Sequence, residues 1–244
     1  MKVKQILKLI YQPYKWMVVV PFMLAITMVL GVVCITTGAV FSQDAANVTA
    51  VLWSRLACAV APLRVVLTGK KNFTPQKAYV VVANHQSMVD IPVIHGFMGL
   101  HIKWVMKQEL RSIPIFGTAC HYLGCIFIDR SHRDAAIRSI HRARNQLSPR
   151  ASVLFFAEGT RSRDGKVHPF KKGAFVFARE TGLPILPVTI KNSYQILPPD
   201  TLDLVPGKIE LIVHRPVYVL ADDPDRMDEV IASVRTTIAA PLLP

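Results

Sequence analysis

Acidic residues are scarce in this 244-residue chain, 16 Asp and Glu against 29 Lys and Arg, which leaves a formal net charge of +13. A surface so short of negative charge favours phosphate-bearing partners: nucleic acid, anionic lipid or a phosphorylated small molecule. Charge of either sign is missing altogether between Trp16 and Gln43. Together with a mean hydropathy of +0.33, that gap turns the reading away from nucleic acid and toward a membrane surface. Paired cysteines are missing as well. Cys34, Cys58, Cys120 and Cys125 form no Cys-x-x-Cys pair and no disulfide-like framework, which fits a reducing, cytosolic environment. Cys120, His121 and Cys125 can be drawn as zinc ligands, but no fourth ligand stands at a suitable spacing. Repeats and low-complexity tracts are absent, and the length suits one catalytic-sized domain with a small appendage.

The appendage is the amino terminus. Lys2, Lys4, Lys8 and Lys15 precede the uncharged stretch. Its most apolar part, residues 17–41, would be about 37 Å long as a helix, enough to cross a hydrocarbon core of roughly 30 Å. That is too long for a signal peptide's apolar region, and no clear small-x-small cleavage site follows. Further on, Val48, Val51, Leu52, Leu56, Ala59, Val60 and Leu63 recur at helical spacing around Arg55, and Arg64, Lys70 and Lys71 follow. Basic residues at both ends predict a helical hairpin returning to the cytoplasmic side. A second helix lying in the interface, or one simply buried in protein, stays open beside it. The expected division is a membrane-anchoring helical segment over residues 1–67 and an α/β catalytic domain over residues 68–244.

Beyond Lys70, short apolar runs alternate with helix-like stretches, the pattern of an α/β domain. The runs predict strands at 79–83, 102–106, 123–128, 153–156, 185–190 and 209–213. Helices fit 91–96, 133–147, 173–181 and 225–239. Three blocks follow predicted strands, where open α/β sheets place their ligands. The first runs from Asn84 through His85 to Asp90. Imidazole is suited to taking a proton from a hydroxyl near neutral pH, and a carboxylate on its second nitrogen fixes the tautomer. In a regular helix residues five apart point about 140° away from each other, so the pair meets only across a turn. Pro92 suits a helix starting there. Taken alone, the pair is as readily a loop cap beside a helix start. The second block, Gly124 to Arg130, is a predicted strand running into Arg130, and the helix behind it carries Arg133, Arg138, Arg142 and Arg144. That basic face suits anionic headgroups or an acidic carrier protein, or is simply solvated. The third block is Phe156-Ala157-Glu158-Gly159-Thr160-Arg161-Ser162, followed by Lys171 and Lys172. A tight turn, a hydroxyl and a guanidinium suit a phosphate.

In order and separation, these blocks resemble the glycerolipid acyltransferase family, in particular the bacterial 1-acylglycerol-3-phosphate acyltransferases. A fourth block, Leu183-Pro184-Ile185-Leu186-Pro187-Val188, resembles that family's apolar, proline-bearing block, and Lys103, Lys107, Pro114 and Gly117 resemble its connection between the first two. The resemblance spans roughly residues 68–213. One departure is Ala157, where the family usually has proline.

The resemblance implies a glycerolipid-acyltransferase-like mixed sheet flanked by helices, preceded by the membrane-associated hairpin. It implies acyl transfer from acyl-CoA or acyl carrier protein to the 2-hydroxyl of 1-acylglycerol-3-phosphate, giving phosphatidic acid. His85 would be the base and Asp90 its support. Arg130, Glu158, Gly159, Thr160, Arg161 and, more weakly, Lys103 would hold the glycerol-phosphate end. The oxyanion donors are not identified, although amides near the fourth block are candidates. No metal or resident cofactor is expected. The expected partners are lysophosphatidate, the acyl thioester and anionic membrane lipids, with no nucleic acid, at the cytoplasmic face of a bacterial inner membrane. Another lysophospholipid or a lyso-ornithine lipid as acceptor, a thioesterase using the same base on water, and a non-enzymatic basic membrane protein are the competing readings.

Overall fold

The computed structural model describes residues 9–129, 150–219 and 226–243. A seven-stranded mixed sheet organises them: β1 (Leu63–Thr68), β2 (Val80–Ala83), β3 (His101–Lys107), β4 (Ile126–Ile128), β5 (Ala151–Phe156), β6 (Ile185–Lys191) and β7 (Gly207–Val213). Their order is β1-β7-β6-β2-β5-β3-β4. Strands β6 and β7 pair antiparallel, and the other pairs are parallel. The central β2, Val-Val-Val-Ala, is buried along its whole length, as a strand covered on both faces must be.

Side-chain alternation divides the core in two. Val81, Ala83, Leu154 and Ile190 face one helical layer, and Val80, Val82, Val153 and Phe155 face the other. The second layer is α5 (Gly173–Thr181) and α6 (Met227–Ala239). In α6, Met227, Ile231, Val234 and Ile238 form the buried stripe, at helical spacing. The first layer holds α3 (Asp90–Phe97) and α4 (Phe116–Tyr122), together with the amino-terminal hairpin.

The hairpin is α1 (Leu9–Val40) and α2 (Gln43–Val60). A π-helical turn over Lys15–Val19 interrupts α1. Ser42 caps α2, its hydroxyl accepting from the Ala45 amide at 3.2 Å, a favoured N-cap arrangement. α1 is long and apolar enough to cross a membrane, and Met17, Leu24, Met28, Val29 and Val32 are exposed on it. Both ends of the hairpin are nevertheless tied to the rest of the molecule. At one end the Lys15 ammonium donates to the Leu202 carbonyl (2.9 Å), while the Tyr14 hydroxyl joins the two helices to each other through the Val60 carbonyl (2.9 Å). At the turn end Asp44 pairs with His101 at 3.0 Å, and Gln43 accepts from Lys103 at 2.8 Å. Gly124 has φ +75° and lies so close to Gln43 that a Cβ would stand 2.6 Å from its Oε1. A side chain there would displace the Gln43 amide from Lys103 and would be strained by the positive φ.

One sequence expectation changes, and another falls beyond the described residues. The boundary between residues 67 and 68 falls inside β1, whose six residues pair with β7. The sheet therefore begins at Leu63, directly after the hairpin. The helix expected over 133–147 lies outside the described residues.

Candidate active site

Because β2, β3, β5 and β6 run the same way, the loops after Ala83, Lys107, Phe156 and Lys191 open on one edge of the sheet. The turn after β2 is pinned first by Asn84. Its side chain donates to the Ile190 carbonyl (3.0 Å) and accepts from the Ile190 amide (2.8 Å), adding a rung against β6. His85 follows. Its Nδ1 lies 2.9 Å from Asp90 Oδ2, and since a carboxylate can only accept, Nδ1–H donates. Nε2 is then left as a proton acceptor. The same Oδ2 accepts from the amides of Gln86 (2.8 Å) and Ser87 (2.9 Å). Asp90, fully buried, is the first residue of α3. The turn over residues 85–89 is what lets two residues five apart meet.

The turn after β5 grips His85 by its backbone. Glu158 Oε1 accepts from the His85 amide (2.9 Å), and the Ser162 amide donates to the His85 carbonyl (2.8 Å). Glu158 Oε2 accepts from the His168 amide (2.9 Å). Its carboxylate is buried and turned inward, so Glu158 clamps two loops together instead of facing a phosphate. Burial pushes its carboxyl up from the usual range, opposed by the two amide bonds.

Gly159 has φ +82°, and a Cβ there would meet Lys171 Nζ at 2.8 Å. This glycine gives the turn its left-handed residue and lets the Lys171 side chain lie across it. Thr160 and Arg161 line the adjoining cleft. Arg161 stands 3.5 Å from Asp200, which also accepts from Arg163 Nε at 2.8 Å.

Lys103 is not brought to this edge. Its ammonium is buried, donating to Gln43 and the Leu123 carbonyl, and burial lowers its pKa to about 8. Lys107, four residues on at the carboxyl end of β3, lines the cleft instead. Arg130 lies outside the described residues. Leu183 to Val188 are not among the residues lining the cleft, and Ile185 onward forms β6. The sequence reading missed Arg163, Asp164, His168 and Asp200 on the wall. For Lys107, the rule that strand ends carry function would have preferred it to Lys103.

The cleft has a volume of about 1290 Å³ and two characters. Near His85 it is polar, with Thr160, Arg161, Arg163 and His168. Away from His85 it runs between the hairpin and α4, past Leu30, Trp53, Ile115 and Phe116. Cys34, Cys120 and Cys125 lie along this apolar part as free, buried thiols. Among the described residues, no three His, Cys, Asp or Glu side chains group as metal ligands. An imidazole acceptor, a polar end where Arg161, Arg163 and Lys107 outnumber Asp164 and Asp200, and an apolar channel thus share one wall, an arrangement fit for chemistry at the hydroxyl of a phosphorylated lipid.

A family model described as Acyltransferase matches residues 64–191. A chloroplastic 1-acyl-sn-glycerol-3-phosphate acyltransferase of Brassica napus is 36% identical over 140 residues, 57% of this chain and 40% of the relative. One from Chlamydomonas reinhardtii is 34% identical over 198 residues, 79% of this chain and 57% of the relative. The chain thus spans well under two thirds of the length of these curated relatives. The crystal structure of the 1-acyl-sn-glycerophosphate acyltransferase PlsC from Thermotoga maritima superposes with a TM-score of 0.77 at 28% identity, covering 98% of this chain and 95% of that one.

Proposed function

We propose that this chain, which belongs to the acyltransferase family, moves a fatty acyl group from a thioester to the 2-hydroxyl of 1-acylglycerol-3-phosphate, forming phosphatidic acid. The observation that carries the reading is the His85–Asp90 pair, 2.9 Å apart, on a cleft cationic at one end and apolar at the other. The acceptor hydroxyl gives its proton to His85 Nε2 as its oxygen attacks the thioester carbonyl. The tetrahedral intermediate expels the thiolate, which takes the proton back from His85 as a thiol. Asp90 holds the ring and stabilises the imidazolium formed in between. Arg161, Thr160 and Lys107 face the phosphate, with Asp200 giving up Arg161 to it; Arg130 is a further candidate. The thiolate leaves without a metal or resident cofactor, and the acyl donor, acyl-CoA or acyl carrier protein, is a co-substrate.

The test is a panel of lysophospholipids offered with each acyl donor, the product identified by mass. 1-Acylglycerol-3-phosphate is expected to be the best acceptor, and monoacylglycerol, which lacks the phosphate, far worse. Arg161→Ala is expected to raise KM for the phosphorylated acceptor about tenfold or more, as loss of a charge-assisted hydrogen bond of roughly 1.5–3 kcal/mol predicts, and to leave KM for the thioester unchanged. Equal use of monoacylglycerol would overturn the acceptor assignment.

The site lies at the cytoplasmic face of a bacterial inner membrane. The hairpin lies along the catalytic domain with its apolar face in one leaflet, because ties at Lys15 and at Gln43–Asp44 hold both of its ends to that domain. Ser42→Cys, at the exposed hairpin turn, should react with a membrane-impermeant maleimide from the side bearing the catalytic domain, while the four buried native cysteines stay unlabelled. Labelling only from the opposite side would show a crossing hairpin.

A further inference from the structure

One hydrogen bond does not fix an imidazole. The contact from Nδ1–H to Asp90 holds the ring at one atom but leaves it free to tilt about that bond, and tilt decides where Nε2 points. A flat neighbour supplies the missing constraint. The ring of Phe156 is stacked on His85 with centroids 3.7 Å apart and planes 7° from parallel. The sheet brings the two segments side by side: Phe156 is the register partner of Ala83, and His85 comes two residues after Ala83 in the turn that leaves β2.

Phe156 has an aromatic neighbour of its own. Trp104 is the partner of Leu154 across β3 and β5, which makes it the diagonal neighbour of Phe156, within reach of an aromatic side chain. The two ring centroids are 5.8 Å apart. The buried indole is keyed by a hydrogen bond, Trp104 Nε1–H donating to His95 Nδ1 at 3.0 Å. His95 belongs to α3, the helix that begins with Asp90. The contacts close a ring: Asp90, His85, Phe156, Trp104, His95, and back along α3.

We propose that Phe156, Trp104 and His95 are positioning residues that set the plane of the His85 ring, Phe156 by direct contact and the other two through Phe156. The inference rests on His85 being the base. The π face of Phe156 also favours a cation stacked on it, so it supports the imidazolium formed when the acceptor hydroxyl gives up its proton. His95 suits the keying role because burial, with His101 and Lys103 of the neighbouring strand adding to it, lowers its pKa to about 4. The ring therefore stays neutral at working pH, and the indole N–H that it faces leaves Nδ1 as its acceptor.

The experiment uses the full chain in detergent or vesicles, with kcat, both KM values, the pH profile of kcat and the melting temperature measured for each variant. Phe156→Leu removes the flat face and is expected to lower kcat about 10–100-fold with both KM values within about twofold, as misaimed reacting atoms predict. Without the face the imidazolium is less favoured, so the acid limb of the kcat profile should move down by about half a pH unit. Trp104→Phe keeps a ring but loses the N–H. It and His95→Leu should each lower kcat about 3–10-fold, the range of one lost hydrogen bond. His95→Gln, whose carbonyl can still accept from the indole, should recover most of that loss. If Trp104 acts through Phe156, the double variant Trp104→Phe/Phe156→Leu should be no worse than Phe156→Leu alone.

Melting temperatures that fall while kcat and its pH profile hold would reduce the group to core packing and overturn the inference. So would additive losses in the double variant. An inactive His85→Ala beside an unchanged Trp104→Phe would remove this inference alone, whereas a fully active His85→Ala would remove the base assignment with it.

Discussion

His85→Ala is expected to lower kcat by about 10²–10⁴-fold, the range over which a positioned proton acceptor contributes, and to leave the protein folded and membrane-associated. The expectation follows from what His85 does and does not support. Its backbone amide and carbonyl are engaged by Glu158 and Ser162, and those bonds survive truncation of the side chain. The ring contributes one hydrogen bond to Asp90 and one stack on Phe156. Removing it orphans no backbone group, since Asp90 keeps the amides of Gln86 and Ser87. KM for both substrates should change little, because the groups proposed to bind them are Arg161, Thr160 and Lys107. The readouts are initial rates alongside vesicle co-sedimentation and circular dichroism. A variant that unfolds, or binds neither substrate, would move His85 from chemistry to structure.

Glu158→Ala is expected to damage both stability and turnover, which separates a clamp from a substrate ligand. The substitution leaves the amides of His85 and His168 without their acceptor. At about 1–3 kcal/mol for each orphaned donor, the loss is roughly 2–6 kcal/mol. For a chain of this size that lowers the melting temperature by roughly 5–20 °C. Turnover should fall about 100-fold as the His85 backbone shifts, since small displacements of a reacting group are costly. Glu158→Gln should fall between, because one amide oxygen can serve one N–H while its NH₂ meets the other donor unfavourably. Thermal melts and steady-state kinetics decide the matter. A raised KM for the lysolipid with an unchanged melting temperature would return Glu158 to the phosphate.

These expectations show where the sequence was readable. The run before His85 announces a strand by its β-branched residues, and six of the seven strands carry a comparable local signal. β1 is ambiguous: it holds β-branched Val65, Val66 and Thr68, but it runs straight on from an apolar helical pattern, and its pairing with Gly207–Val213, more than 130 residues away, settles it as an edge strand. α4 is seven residues long, too short to be stable alone, and it forms because α1 packs on it. In the site, residue type was legible and direction was not. Glu158 and Arg161 are three apart in one turn, yet one faces inward to two amides and the other lines the cleft. Lys103 and Lys107 share a strand, but only the second reaches its functional end. Asp200 comes from a proline-bearing loop 37 residues beyond Arg163, a distance no local pattern spans.

The central claim is that His85 takes a proton from a lipid hydroxyl and not from water. The direct measurement is thiol release from the acyl thioester, with and without 1-acylglycerol-3-phosphate, alongside phosphatidic acid formed. Thiol release by the unmodified protein should depend on the acceptor and match phosphatidic acid one for one, and His85→Ala should abolish both. Thiol released at the same rate without acceptor would make the protein a thioesterase and contradict the account.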